Sequence, residues 1–212
     1  LEGPYTAPDE LACWLEPWDR NLVLVNCSSA SSPFVPLLKG KNRTLISATR
    51  SGFEVNYSRF GSYLAKALTD EGADLNKDDQ ISILEAFLLA SDQTAEYYEK
   101  SGRLATEHAL IDDNGDGKGT QASWFEGLRV VKRSSDDGEP DGSRARQLHL
   151  IPNALDRQLP ADVRQRRDDL EREAERLRSQ REALGDEKFY TELEKVFLEI
   201  AEIYQEFGLD PE

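Results

Sequence analysis

Asn21-Leu-Val-Leu-Val-Asn26 is a continuous apolar run closed at both ends by Asn, the pattern of a β-strand buried on both faces. A loop of Ser, Pro and Gly follows, interrupted by Phe34-Val35 and Leu37-Leu38. Arg43-Thr-Leu-Ile-Ser-Ala-Thr49 then reads as a second buried strand. Strand, connection, strand, helix is α/β grammar and predicts parallel pairing. The connection is short for a full helical crossover. Upstream, residues 9–18 read as a short helix with Leu11, Trp14 and Leu15 on one side.

Downstream of the second strand, helical apolar spacing appears twice, at Phe60, Tyr63, Leu64, Ala67 and Leu68, and again at Ile81, Leu84, Leu88 and Ala95. Between them lies Asp74-Leu-Asn-Lys-Asp-Asp-Gln-Ile-Ser-Ile-Leu-Glu85. Oxygen donors fall at Asp74, Asn76 and Asp78. Gln80 offers a backbone carbonyl, Ser82 a hydroxyl or a bridging water, and Glu85 a bidentate carboxylate. This is the ligand schedule of an EF-hand loop, which surrounds a hard cation with oxygens from one short segment. A helix-loop-helix over about 58–102 and a bound calcium ion are the expectation. Asp79 departs from the pattern, because the sixth position needs positive φ and is usually Gly. The alternative reading is an Asp/Asn-rich turn between helices that holds no ion.

A second acidic loop lies in His108-Ala-Leu-Ile-Asp-Asp-Asn-Gly-Asp-Gly-Lys-Gly119. Asp112, Asn114 and Asp116 take alternate positions, with Gly117 at the sixth, and form a second candidate metal site. Gly119 replaces the apolar anchor and Ser123 replaces the closing Glu, which should weaken any binding. A turn stabilised by its own Asp and Asn side chains is the competing reading.

The 212 residues carry a net charge of −15, with 38% hydrophobic and 32% charged residues. That mix suggests a modest core joined to a solvated helical part. The charge disfavours nucleic acid and anionic membrane as partners and suits a cation. No stretch approaches the apolar run that spans a bilayer. The chain contains no Met and begins with Leu, so the expectation is a fragment or processed product. The missing Met also argues against a calcium sensor, since sensors open onto Met-rich grooves.

Residues 133–146 read as a flexible polar connector, with Leu148, Leu150 and Ile151 docking back as an extended piece. From Pro160 the pattern becomes helical. Val163, Leu170, Leu177 and Leu184 recur every seventh residue, with Ala174, Arg167 and Arg181 at intermediate sites. Gly185-Asp186 breaks the helix. Phe189, Leu193, Val196, Ile200, Ile203 and Phe207 then follow alternating steps of four and three, a coiled-coil seam. The expectation is an antiparallel helical hairpin through which the chain binds a protein partner or itself over 160–208. The arginines of 164–181 read as a solvated face laced by helical ion pairs. The division expected is 1–132 for the α/β domain, 133–154 for a linker and 155–212 for the hairpin.

Cys13 reads as a packing residue on a buried helical face. Cys27 ends the first strand, at the sheet edge where α/β proteins place chemistry. By its neighbours alone it reads as an inert thiol, since His108 and His149 both lie far downstream. Yet Leu22-Val-Leu-Val-Asn-Cys27-Ser-Ser-Ala-Ser resembles the nucleophile strand of caspase-like and legumain-like cysteine peptidases, with Ala30 in place of a Gly. Leu45-Ile-Ser-Ala-Thr-Arg-Ser-Gly52 and Ser58-Arg-Phe-Gly-Ser-Tyr-Leu-Ala-Lys-Ala-Leu68 are similar to the next strand and helix of bacterial members. Some members also carry calcium-loop-like insertions and an Asp-Asp-Asn-Gly-Asp-Gly turn.

The resemblance covers roughly residues 1–130. It implies the C-terminal half of a caspase-like domain, from an exported or periplasmic bacterial protein, with a partial parallel sheet flanked by helices. It implies Cys27 as nucleophile and the backbone N–H of Ser28 or Ala30 as oxyanion donors. The family's partner His lies upstream of the Cys, and this chain does not include that segment. The functional expectation is therefore a calcium-binding, caspase/legumain-like pseudo-peptidase or fragment. The alternative is a non-catalytic, calcium-stabilised scaffold.

Overall fold

The computed structural model describes residues 7–18, 20–132 and 140–208. They form two compact units that divide between Leu150 and Ile151.

The first unit is mixed α/β. Its four-stranded sheet has the order β1 (Leu22–Asn26), β2 (Arg43–Ser47), β3 (Leu110–Asp112), β4 (Thr120–Gln121). β1 and β2 are parallel, with Leu22 opposite Arg43 and Asn26 opposite Ser47. β3 runs antiparallel to β2, and β4 antiparallel to β3. The parallel pairing read from the sequence is thus confined to the first two strands. They are joined through the short helix α2 (Phe34–Leu38).

Pleating decides which side chains reach which layer, because neighbours along a strand point to opposite faces. Leu22, Leu24 and Leu45 pack on one side with Leu15, Val35 and Leu38, from α1 (Pro8–Leu15) and α2. Val23 and Ile46 face the other side. There Ile111 joins the residues of α3 (Phe60–Ala67) and α4 (Ile83–Lys100), including Phe60, Leu64, Leu84, Phe87 and Ala90. Phe60 and Phe87 meet edge to face with centroids 6.1 Å apart. Burying a side chain such as Phe87 contributes about 1.5–3 kcal/mol.

β2 is the buried strand, with Thr44 to Ser47 all buried. β1 is the edge, only half-buried, and Val25 is 38% exposed. The expectation that β1 is covered on both faces is corrected. Among the described residues no strand pairs with its outer margin. Cys13 and Trp14 are exposed on α1, so Cys13 does not pack in a core. The buried contact of that helix is Leu15.

Residues 140–150, expected as part of a polar linker, belong to the first unit. Ala145 is fully buried, Leu148 packs against the main core, and the Leu148 carbonyl accepts from the Ile83 N–H at 2.8 Å. A Cβ at Gly142 would stand 2.8 Å from the Phe125 ring, and its φ of +102° favours Gly. Leu150 and Ile151, expected to dock back, are exposed. Residues 133–139 of the expected connector lie outside the described residues.

The second unit comprises α5 (Ala154–Gln158), α6 (Ala161–Ser179), α7 (Arg181–Leu184) and α8 (Asp186–Glu206). Gly185, at φ +76°, breaks the chain between α7 and α8, as its sequence position suggested. Ala174, Leu177, Phe189 and Val196 form the buried seam between α6 and α8, with Leu170, Leu184, Leu193 and Ile200 at its margin. The exposed arginines follow the expected pattern, Arg176 with Glu173 and Arg178 with Glu175 one turn apart. Arg167 does not. It is 7% exposed and hydrogen-bonds Asp156 and Asp168. A seam position puts its charge inside, where it is tolerable only when paired.

Candidate functional site

The first acidic loop lies between α3 and α4. A short 3-10 turn, Glu71–Ala73, precedes it. Asp74, buried, is its organising residue. Its Oδ1 accepts from the N–H of Lys77 at 2.7 Å and of Asp78 at 3.3 Å, and its Oδ2 from the N–H of Asp79 at 3.1 Å. Lys77 and Asp79 both adopt left-handed backbone, at φ +63° and +60°. The turn that usually takes Gly is therefore made here by Asp79, at a cost of about 1–2 kcal/mol. Asn76 Nδ2 donates to Asp78 Oδ2 at 2.8 Å, and Gln80 N–H donates to Asp78 Oδ1 at 2.9 Å.

Glu85 closes the loop. It is 1% exposed. Its Oε1 accepts from the N–H of Leu75 at 2.9 Å and of Asn76 at 3.4 Å. Its Oε2 accepts from Ser82 N–H at 2.9 Å and Ser82 Oγ at 2.7 Å. Ser82 is the N-cap of α4 and Glu85 the third residue of the helix, so the pair is a capping box. Ser82-Ile-Leu-Glu85 carries that signature in the sequence as plainly as it carries a ligand pattern.

The second loop joins β3 to β4, so strands flank it rather than helices. Asp112 is fully buried and repeats the role of Asp74: Oδ1 accepts from Gly115 N–H at 3.0 Å and Oδ2 from Gly117 N–H at 2.9 Å. Asn114 Oδ1 accepts from Asp116 N–H at 2.8 Å, and Asp116 Oδ1 from Lys118 N–H at 2.7 Å. Asp116 Oδ2 is shut off from solvent and has no hydrogen-bond partner. Ser123, at the closing position of the pattern, is exposed on a short 3-10 turn.

Two carboxylates that the sequence did not single out sit beside this loop. Asp113 points to the other side of the strand and accepts from the N–H groups of Gly142 (2.8 Å), Arg144 (2.8 Å) and Ala145 (2.7 Å). Asp141 Oδ1 accepts from the N–H groups of Asp113 at 3.0 Å and Asn114 at 3.3 Å, and its Oδ2 from Thr120 Oγ1 at 2.6 Å. Burial pushes Asp112 up to about 6 and Asp141 up to about 7, despite the N–H and hydroxyl donors that favour their charged forms. Burial raises Asp113 as well. The sequence offered only a Pro140-Asp-Gly142 turn as a signal for Asp141, indistinguishable from any other surface turn.

The donors of both loops are oxygens, which fits a hard cation such as calcium. Their present use is different. The carboxylates of Asp74, Glu85, Asp112 and Asp141 are turned onto backbone and hydroxyl donors. Among the described residues, no group of three or more His, Cys, Asp or Glu side chains is arranged to hold a metal ion.

Cys27 lies just past the end of β1, against the first turn of α3. A Cβ at Gly61 would come within 2.7 Å of its Sγ, so Gly is what lets the helix approach the thiol. Cys27 reaches solvent, yet the surrounding protein raises its thiol pKa. Ser28 N–H donates to Asn26 Oδ1 at 3.0 Å and Ala30 N–H to the Glu54 carbonyl at 2.9 Å. Both amides expected to face an oxyanion are already engaged within the chain. Ala30 takes the left-handed backbone, φ +52°, that a Gly would adopt without strain. His108 Nδ1 is 2.5 Å from Glu54 Oε1, and the same carboxylate accepts from His108 N–H at 3.2 Å. The loop between β1 and α2 is held instead by buried hydroxyls, with Ser31 Oγ and Thr49 Oγ1 3.2 Å apart.

Comparison with protein-family models, curated proteins and solved structures returns no match. No described helix is long and apolar enough to cross a membrane.

Proposed function

We propose that this chain is a calcium-stabilised domain related to caspase/legumain-like proteins, with Cys27 no longer poised as a nucleophile. The observation that supports it best is the course of residues 74–85. A buried aspartate gathers the N–H groups of its own loop, two residues turn left-handed, and a buried glutamate closes the loop onto the next helix. Asp74, Asn76, Asp78 and Glu85 would hold the ion, with the Gln80 carbonyl and Ser82 completing the oxygen shell. The ion would supply positive charge to a segment crowded with carboxylates.

An ion in this loop competes with the N–H groups that Glu85 now serves. Charge-assisted hydrogen bonds contribute about 1.5–3 kcal/mol each, so their loss offsets part of the binding energy. A structural site of moderate affinity follows. The degraded peptidase reading is supported by the raised thiol pKa and by the engaged amides of Ser28 and Ala30, since a nucleophilic Cys needs thiolate character and free oxyanion donors.

Calorimetric titration with calcium on the wild type and Glu85→Gln tests the ion. The variant should lose most of the heat, and an unchanged curve would place the ion elsewhere or nowhere. Labelling with a peptidyl chloromethyl ketone tests the enzyme. Cys27 should stay unmodified, and rapid labelling would restore the peptidase reading.

A second reading, assembly through the C-terminal unit, is favoured by α8. Tyr190, Phe197 and Leu198 are 55%, 45% and 58% exposed outside the seam. Sedimentation at increasing concentration should show a dimer that Phe197→Glu abolishes. A monomer throughout removes this reading.

A further inference from the structure

Phe53, Val55 and Tyr57 are 94%, 68% and 78% exposed, and Leu104 is 90% exposed. They project from two stretches that run side by side, residues 50–59 after β2 and residues 102–108 after α4. Glu107 accepts from the N–H groups of Arg59 at 2.8 Å and Phe60 at 3.1 Å, and Glu54 from His108 N–H at 3.2 Å. The projection is anchored from beneath. The Glu54 carboxylate also accepts from Arg50 N–H at 2.9 Å. The carbonyls of Glu54 and Asn56 accept from Ala30 N–H at 2.9 Å and Ser29 Oγ at 2.6 Å. The apolar side chains thus crown a fastened loop and take no part in the core below it.

The charges of these two stretches are sorted. Their acids, Glu54 and Glu107, are turned inward, with side chains 12% and residue 3% exposed respectively. Arg50 and Arg103 are exposed, and the Arg59 guanidinium lies 5.8 Å from the Tyr57 ring and 4.2 Å from the Tyr97 ring. In a chain of net charge −15, the two stretches therefore present cations among apolar groups. Charges farther than about 8 Å are largely screened at physiological salt, so the total charge of the chain does not decide what meets this surface.

We propose that residues 50–59, with Leu104, form a shallow contact for an anionic lipid surface. Phe53, Val55, Tyr57 and Leu104 enter the headgroup layer, and Arg50, Arg59 and Arg103 meet lipid phosphates and carboxylates. Two features favour lipid over a folded protein. Phe53 and Leu104 stand clear of their neighbours and leave no groove for a partner's side chains to fill, whereas a headgroup layer accepts projecting groups without a matching shape. Aromatic rings flanked by arginine also suit the water–lipid boundary, where the ring is buried and the guanidinium reaches phosphate. So few shallow side chains give a weak, reversible association. The proposal is independent of the calcium reading, since it uses neither acidic loop.

Co-sedimentation of the full chain with vesicles, in chelator, tests it. Wild type should partition onto phosphatidylcholine/phosphatidylserine vesicles and far less onto phosphatidylcholine alone. Phe53→Glu should lower the partition coefficient about tenfold. Arg103→Glu should lower it several-fold, and added salt should weaken wild type more than this variant. Both side chains are exposed, so both variants should unfold at the temperature of wild type. Phe53→Trp should shift fluorescence to the blue on the mixed vesicles and be quenched by brominated acyl chains. Absence of wild-type sedimentation would overturn the proposal, as would sedimentation that both charge substitutions leave unchanged or an unshifted Phe53→Trp spectrum. Binding to an immobilised Asp/Glu-rich peptide, lost in Arg103→Glu and without vesicle binding, would also overturn it and give the surface to an acidic protein.

Discussion

The two acidic loops of this protein follow one hydrogen-bond plan on two different supports. Residues 74–85 sit between helices, and the acid that closes them begins the helix that follows. Residues 112–120 sit between strands, and the acid beside them comes from a distant turn. After β4 the chain enters a short 3-10 turn, and Ser123, at the place that matches Glu85, is exposed and carries no carboxylate. The loop amides are met instead by Asp141, whose neighbours Gly142, Arg144 and Ala145 donate to Asp113. The contrast shows that an acidic loop is defined by where its carboxylates are delivered rather than by a contiguous string of them.

Removing the closing acid of the first loop should produce the largest change. Glu85→Ala strands the N–H groups of Leu75, Asn76 and Ser82 and removes the Glu half of the capping box of α4, and should cost about 3 kcal/mol in urea unfolding of the calcium-free chain. A loss below that of an ordinary surface substitution would mean that the loop does not depend on its closure. Asp113→Ala breaks the remote attachment instead. It should cost about 2 kcal/mol, and hydrogen exchange should speed up at Gly142, Arg144 and Ala145 while α4 stays protected.

Proton linkage sharpens the contrast further. Asp112 at about 6, Asp141 at about 7 and the raised Asp113 all bind protons more tightly folded than unfolded. Their contribution to stability is therefore complete below about pH 4, the unfolded range. It is lost as pH rises through 6 and 7. In chelator, the midpoint of thermal unfolding should fall over that interval, and Asp141→Asn should flatten the slope. A midpoint that rises from pH 5 to 8 and is indifferent to Asp141 would contradict the burial of these groups. The smallest effect belongs to Asp79→Gly, which relieves a left-handed Asp and makes the first loop like the second at Gly117. It should gain about 0.5 kcal/mol, and on the proposed calcium reading of this loop the affinity should rise rather than fall.

Much of this arrangement was legible locally. The run Leu22–Val25, the stretch Arg43–Ser47, the helical spacing around Phe60 and Leu84 and the break at Gly185 each became the element their pattern describes. Periodicity and turn chemistry act over a few residues, so they can be read from a few residues. The left-handed turn at Asp79 was legible as well, as a demand of the pattern that Asp had to meet.

What the sequence by itself determined was the order of the elements, the parallel start of the sheet, the acidic loops and the position of the helical break. Tertiary structure alone decided that β1 is an edge, that Cys13 faces water and Arg167 does not, that the amides beside Cys27 are taken, and that Asp141 serves a loop it does not belong to. These depend on which distant surface arrives to cover a side chain or claim an N–H group. Such pairings are chosen by burial and hydrogen-bond satisfaction across the whole unit, and the residues involved leave no periodic trace in their own neighbourhood.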